Sequence, residues 1–349
     1  MAALDKLFKL MIQEGASDLH ISSNYPPFFR VHGHMIKLNS PTLSSEKAAN
    51  LIYQTMSEDQ ARKFQRTMEA DWSYTLPGVA RFRANAFIQA HGMGAVYRLI
   101  PEKIRTLEEL GLPDSIRNMA EHPKGLVLVT GPTGSGKSTT LAALVHHINL
   151  TRKEHIITIE DPIEYMHTGQ NCLINQRELS RHTKSFSGAL RASLREDPDV
   201  ILIGEMRDYK TISLALTAAE TGHLVFATLH TNSASKSVDR ILDSFPGEQQ
   251  GQARAMLSES LIGIVAQTLL PRADKPGMVA ALEVLVANSA VRNLIREGKT
   301  FQIASVMQTS ARAGMITFES SMKNLADRGI ISQATMKAYL PALTGTSST

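Results

Sequence analysis

The chain opens on an apolar stripe. In MAALDKLFKLMIQEG, Leu4, Leu7, Phe8, Met11 and Ile12 recur at i, i+3, i+4, i+7 and i+8, with Gly15 behind them. That spacing predicts an amphipathic helix and lacks the unbroken apolar run of a signal peptide. Leu19 and Ile21 then alternate with polar neighbours. Residues 29–31 and 35–38 flank His32-Gly33-His34, which predicts a hairpin turned at the glycine. SPTLSSEKAANLIYQTM reads as helix. Ser57-Glu58-Asp59-Gln60 reads as a capping box opening another, because serine and glutamine three apart satisfy each other's free amides. ARFRANAFI alternates strictly, with Phe82, Ala84, Ala86 and Ile88 on one face and Arg81, Arg83 and Asn85 on the other. GAVYRLI, carrying Arg98, follows as a second strand.

From Gly125 the pattern changes. GLVLVTG, HIITIED, DVILIGEM and HLVFATLHT are short apolar runs separated by helical stretches. Such runs suit strands buried on both faces and joined by helical crossovers, so they predict a parallel, doubly wound α/β sheet. Beyond about residue 246 the chain reads as mostly helical, with one more apolar run at 278–286. PEKIRTLEELGLP combines bracketing prolines, charge and glycine, as a linker does. The expected organisation is a small α+β domain over 1–100, a linker over 101–113, a core over 114–343 with a helical C-terminal part, and a frayed tail over 344–349.

Composition narrows this. At 349 residues the chain has the length of two domains of ~150 residues each. A content of 43% hydrophobic and 20% charged residues excludes wholesale disorder. The 37 basic and 33 acidic residues leave +4, too weak and dispersed for a nucleic-acid footprint. The single cysteine, Cys172, excludes an internal disulfide or a zinc site of several thiolates and fits a reducing compartment. No run reaches the ~18 apolar residues of a spanning helix. A soluble, cytoplasmic protein is expected.

The chemistry starts at Gly131-Pro132-Thr133-Gly134-Ser135-Gly136-Lys137-Ser138, followed by Thr139, which fits G-x-x-x-x-G-K-[ST]. Glycines let backbone N–H groups curl around phosphate oxygens, Lys137 reaches the terminal phosphates, and the Ser138 hydroxyl can ligate Mg²⁺. Chance produces this pattern about once in a hundred chains of this length. The strand before it and the stripe Leu141, Leu144, Val145 and Ile148 behind it supply the strand–loop–helix setting.

A parallel sheet offers ligands the carboxyl ends of its strands. There stand Glu160, Asp161 and, one turn on, Glu164; then Glu205; then His230 and Thr231. One acidic strand end is commonly a helix cap, whereas several around a P-loop suit Mg²⁺ coordination and general-base work. His223 stands at the start of its strand, where a structural role is the plain reading. The plain reading of Arg81, Arg83 and Arg98 is a solvated strand face; the sharper one is a basic face presented to phosphate. The chain holds no N-K-x-D guanine-reading motif, which leaves ATP as the expected nucleotide.

GPTGSGKSTT, ITIEDPIEY, LREDPDVILIGEMRD and TAAETGHLVFATLHTNSA resemble the Walker A, Asp box, Walker B and His box of the secretion and pilus motor ATPases. SDLHIS and AVRNLIRE resemble that family's pilus retraction branch, and the similarity runs from about residue 4 to 340. The resemblance implies a PAS-like N-terminal domain, a RecA-like core and a homo-hexamer with ATP sites between domains. It also implies work on the membrane platform protein at the pilus base, with pilin returned to the inner membrane during retraction and twitching motility. Residue by residue, it makes Lys137 and Ser138 the Walker A pair and Glu205 the Walker B glutamate, with Gly204 where many P-loop enzymes carry aspartate. Glu164 becomes the glutamate that activates water, beside Glu160 and Asp161, and His230 and His223 become γ-phosphate sensors. Arg81, Arg83 and Arg98 fall where the family offers arginines to nucleotide, while Ala90-His91 departs from the arginine that relatives often carry.

Other classes stay in view. Assembly ATPases share the four boxes but usually carry a longer N-terminal extension and often a four-cysteine module; one cysteine cannot supply it, and SDLHIS lies almost at the start. An accessory retraction ATPase, or a second retraction ATPase sharing the work, remains open. A RecA-like DNA-transfer ATPase would call for a basic groove with stacking aromatics, yet aromatics are 5% and no Lys/Arg block stands out. A nucleotide switch without hydrolysis would not need Glu164, Glu205 and His230 together.

Overall fold

Alternation in the first hundred residues builds an antiparallel sheet. The computed structural model describes residues 3–31, 33–100 and 103–344, and the chain divides into two compact units, Met1–Lys103 and Ile104–Thr349. The first unit holds β1 (Asp18–Ser22), β2 (Phe28–Val31), β3 (His34–Lys37), β4 (Glu69–Leu76), β5 (Ala80–Gln89) and β6 (Gly92–Ile100). Their order is β3-β2-β1-β6-β5-β4, every pair antiparallel.

Helix Ala3–Gln13 buries Leu4, Phe8 and Met11 in this unit's core, with Phe8 stacked on Phe82 at 4.1 Å, and leaves Ile12 exposed at the stripe's edge. The capping box at Ser57 and Gln60 is formed in both directions. Gly33 takes φ +86° at the hairpin turn, while His32 lies outside the described residues. Phe82, Ala84 and Ala86 are fully buried as the alternation predicts; Ile88, near the Gly92 hairpin end, is half exposed. Strand β4 went unread, although Ala70, Trp72 and Leu76 are its buried positions at a spacing of two and four residues.

The second unit is a seven-stranded sheet of β7 (Gly125–Thr130), β8 (His155–Glu160), β9 (Leu173–Glu178), β10 (Val200–Ile203), β11 (Leu224–Leu229), β12 (Leu261–Pro271) and β13 (Met278–Val286). The order is β13-β12-β7-β11-β10-β8-β9, parallel except for the β12–β13 pair. Alternate residues of one strand feed two cores. Leu126 and Leu128 pack with helix Tyr209–Glu220, while Val127 and Val129 pack with helix Lys137–Thr151. This two-sided burial is why β7, β10 and β11 read as unbroken apolar runs.

Three expectations change. The C-terminal part is helical over most of its length, but β12 adds an eleven-residue strand beside β7 that the expected run at 278–286 does not include. An apolar run such as LIGIVAQTLL has the same signature in a buried strand and a buried helix, so periodicity could not separate them. Edge strand β9 also went unread. The segment expected to be a linker is mostly anchored: Leu107 and Leu112 are buried in the second unit with Ile116 and Met119, and Thr106 and Glu109 exchange backbone–side-chain hydrogen bonds. Pro101 and Glu102, and the tail beyond Thr344, lie outside the described residues. Among the described residues no helix is long and apolar enough to cross a membrane.

Candidate nucleotide site

The P-loop leaves the carboxyl end of β7 and runs into helix Lys137–Thr151. Gly131, Gly134 and Gly136 take φ of +141°, +80° and +89°, so the loop's amides turn along a path that side chains rarely adopt. At Gly131 space is also decisive, since a Cβ would lie 2.2 Å from the Gln267 carbonyl and 2.6 Å from Ser135 Oγ. Pro132, Thr133 and Gly134 are exposed at the loop's crest, while Ser135 is buried below it. Lys137 Nζ donates to the carbonyls of Gly131 (2.8 Å) and Pro132 (3.0 Å), folded back over the loop. Burial lowers its pKa, and the carboxylates of Glu205 and Glu164 act the other way. Both acidic groups therefore share the lysine's electrostatic neighbourhood, as the parallel topology requires of adjacent strand ends.

Glu160 closes β8. Burial pushes its carboxyl up to about 7, although Thr158 Oγ1 (2.7 Å), Gln176 Nε2 (3.3 Å) and the Glu164 N–H (3.5 Å) all donate to it. A cavity of about 40 Å³ opens here, lined by Ser138, Glu160, Tyr165, His167, Gly204 and Thr228. The His167 imidazole, held down to about 4 chiefly by burial, is neutral and offers Glu160 no positive charge. Gly204 permits this arrangement: a Cβ there would stand 3.2 Å from Glu160 Cα and from the Ile159 carbonyl. An aspartate at 204 would crowd the end of β8.

The loop carrying Glu164 is pinned on two sides. Tyr165 OH lies 2.9 Å from Thr139 Oγ1 on the P-loop helix. Gln176 of β9 donates to the Tyr165 carbonyl (2.8 Å) and accepts from the His167 N–H (2.8 Å). Asp161 is exposed at the start of this loop.

Beyond β10, both oxygens of Glu205 are engaged. Arg207 Nη2 donates to Oε2 at 2.7 Å, and His230 Nε2, at the end of β11, lies 3.1 Å from Oε1. The Arg207 hydrogen bond is the main reason the carboxyl stays below its ordinary range. Arg207, Gln176, Tyr165 and Gln267 were missed in the sequence. Arg207 follows Glu205 by two residues; the others show no local signal.

His223 is not brought to this site. It precedes β11 at the strand's amino end, about 20 Å from the carboxyl end of a six-residue strand. Its Nδ1 lies 3.0 Å from the Ala218 carbonyl, joining the end of a helix to the start of the strand.

In the first unit, strand register aligns charged positions across four strands. Arg83 of β5 faces Arg98 of β6, Arg98 faces Asp18 of β1, and Asp18 faces Arg30 of β2. Asp18 is buried and bonded at 2.8 Å by Arg98 Nε, which offsets the like-charge pair beside it. Arg81, two residues along β5, donates to Ser73 Oγ at 3.1 Å.

A mostly parallel sheet with a P-loop at one strand end, and two glutamates and a histidine at its neighbours, defines a RecA-like P-loop nucleoside triphosphatase. The chain belongs to the type II/IV secretion system protein family, whose model matches residues 1–337. It is 51% identical over 340 residues to the type IV pilus retraction ATPase PilT of Pseudomonas aeruginosa, covering 97% of this chain and 98% of that protein. It is 55% identical over 305 residues to a twitching motility protein of Neisseria gonorrhoeae, covering 87% and 82%. Its fold matches the crystal structure of the pilus retraction motor PilT with bound ADP at a TM-score of 0.89, with 46% identity and 97% of each chain covered.

Proposed function

We propose that this chain is the ATP-hydrolysing motor of type IV pilus retraction. The observation that carries the reading is similarity to a pilus retraction ATPase along nearly the whole chain, joined to a site that combines the P-loop, Glu164, Glu205 and His230. The motor works as a cytoplasmic homo-hexamer held peripherally at the inner membrane. Its partner there is the pilus platform protein, a second retraction ATPase can share the work, and nucleic acid has no part in it.

ATP supplies the phosphates for the P-loop amides, and its arrival draws Lys137 off the carbonyls of Gly131 and Pro132. Ser138 and Glu205 are oxygen donors of the kind Mg²⁺ takes together with substrate phosphates. When bound there, Mg²⁺ would offset charge on the phosphate oxygens. Glu164, on its pinned loop, accepts a proton from the attacking water as the water oxygen bonds to the γ-phosphorus and the bond to the β-phosphate oxygen breaks. The His230 Nε2 proton can be given to Glu205 or to a γ-phosphate oxygen, but not fully to both. Exchange between them makes His230 responsive to the terminal phosphate. The resemblance assigns Arg81, Arg83 and Arg98 to the nucleotide, and repeated cycles of hydrolysis supply the mechanical work of retraction.

The test is Glu205→Gln. The variant should bind Mg-ATP and assemble as wild type while turnover falls by roughly 10²–10⁴. In the source organism the same substitution should leave pili in excess and abolish surface motility. Undiminished hydrolysis removes Glu205 from the site; loss of pili points to assembly instead.

A further inference from the structure

A buried amide supports the P-loop from beneath. Gln267 lies in the apolar strand β12, almost wholly inaccessible to solvent, and uses its carboxamide at both ends. Nε2 donates to the Ser135 carbonyl at 2.6 Å, and Oε1 accepts from Thr140 Oγ1 at 2.9 Å. Its own backbone carbonyl is the atom that forbids a side chain at Gly131. A glutamine costs free energy in an apolar strand unless both ends are satisfied, and here both partners belong to the P-loop and its helix.

We propose that Gln267 is the positioning residue of the phosphate cradle. The Ser135–Gly136 peptide is trans, so its C=O and N–H point in opposite directions. Holding the Ser135 carbonyl down against β12 turns the Gly136 N–H up into the loop, where an anion needs amide donors. The Ser135 carbonyl, an acceptor only, fixes which end of the carboxamide faces it, because a flipped amide would set oxygen against oxygen, while the Thr140 hydroxyl satisfies the other end. The ligand class is a nucleoside di- or triphosphate. The proposal rests on the nucleotide reading above and deepens it by naming a residue that sets affinity for the phosphates without touching them.

The experiment is an equilibrium titration of the full chain with fluorescent ADP, for wild type, Gln267→Glu, Gln267→Met and Thr140→Val, at about pH 6 and about pH 9. Losing the hydrogen bond should weaken ADP about tenfold in Gln267→Met at both pH values. In Gln267→Glu the deficit relative to wild type should be at least as large at the higher pH and shrink at the lower, where the carboxylic acid regains a donor for Ser135. Thr140→Val should weaken binding by a smaller factor. Should Gln267→Met fail to fold, the pH dependence of Gln267→Glu decides. Wild-type affinity in the variants, or a Gln267→Glu deficit independent of pH, overturns the proposal. Wild type failing to bind ADP would instead sink the nucleotide reading itself.

Discussion

Glu160 gives the sharpest quantitative test, because its carboxyl is held up to about 7 by burial beside a P-loop. The folded protein keeps this proton to about pH 7, whereas the unfolded chain releases it near 4.5. Between those values the folded state binds more protons than the unfolded one, so stability falls as pH rises through that window and levels off above it. Moving a carboxyl from 4.5 to about 7 places a penalty of about 3 kcal/mol on its ionised form, an upper bound for a group at the edge of a cavity. Glu160→Gln keeps the shape and an oxygen for Thr158 while removing the titration. The variant should match wild type near pH 5 and exceed it by up to about 3 kcal/mol near pH 8.

Urea unfolding followed by far-UV circular dichroism at several pH values measures the difference. The single tryptophan, Trp72, belongs to the first unit and serves as an internal control whose transition should not move. Turnover should fall in the same variant, because stability gained at a strained site is commonly activity lost. A stability difference that is flat with pH, or a wild type more stable than the variant at pH 8, would refute the assignment of buried strain to Glu160.

Two further substitutions test packing and charge. Gly204→Ala places a methyl 3.2 Å from Glu160 Cα and the Ile159 carbonyl, so it should cost about 1–2 kcal/mol and lower the core's thermal midpoint; an unchanged midpoint would show that the strand ends part freely. Asp18→Asn removes the one negative charge from the register of Arg83, Arg98 and Arg30, and should destabilise the first unit by about 1–2 kcal/mol. Trp72 emission during urea unfolding reads that loss, and an unmoved midpoint would mean the arginines need no partner.

Much of the site could be read from one dimension. A phosphate cradle is built from consecutive backbone amides, so its glycines, Lys137 and Ser138 stand together in one string. Glu160, Glu164, Glu205 and His230 were found because parallel strands gather their carboxyl ends, and the apolar runs announced those strands. His223 was assigned to the nucleotide by resemblance alone, against the plain reading of its place at a strand start, and the structure keeps it at the amino end of β11. What escaped has a physical cause in each case. Strand β12 is buried on both faces, so its pattern carries no period. Gln267 meets Ser135 across 132 residues of chain, and Gln176 and Tyr165 meet over a loop whose path no local rule predicts.

Local chemistry therefore marked the P-loop, the fold class and the polar strand ends around it, since each depends on residues adjacent in sequence or on a period of two or 3.6. Tertiary packing alone decided that His230, at the end of β11, meets Glu205 beyond β10. It also decided that Glu160 is buried enough to hold its proton near neutrality, and that an amide from β12 carries the floor of the P-loop. Those outcomes depend on distances between segments far apart in the chain, and desolvation and hydrogen-bond geometry exist only once the segments have met.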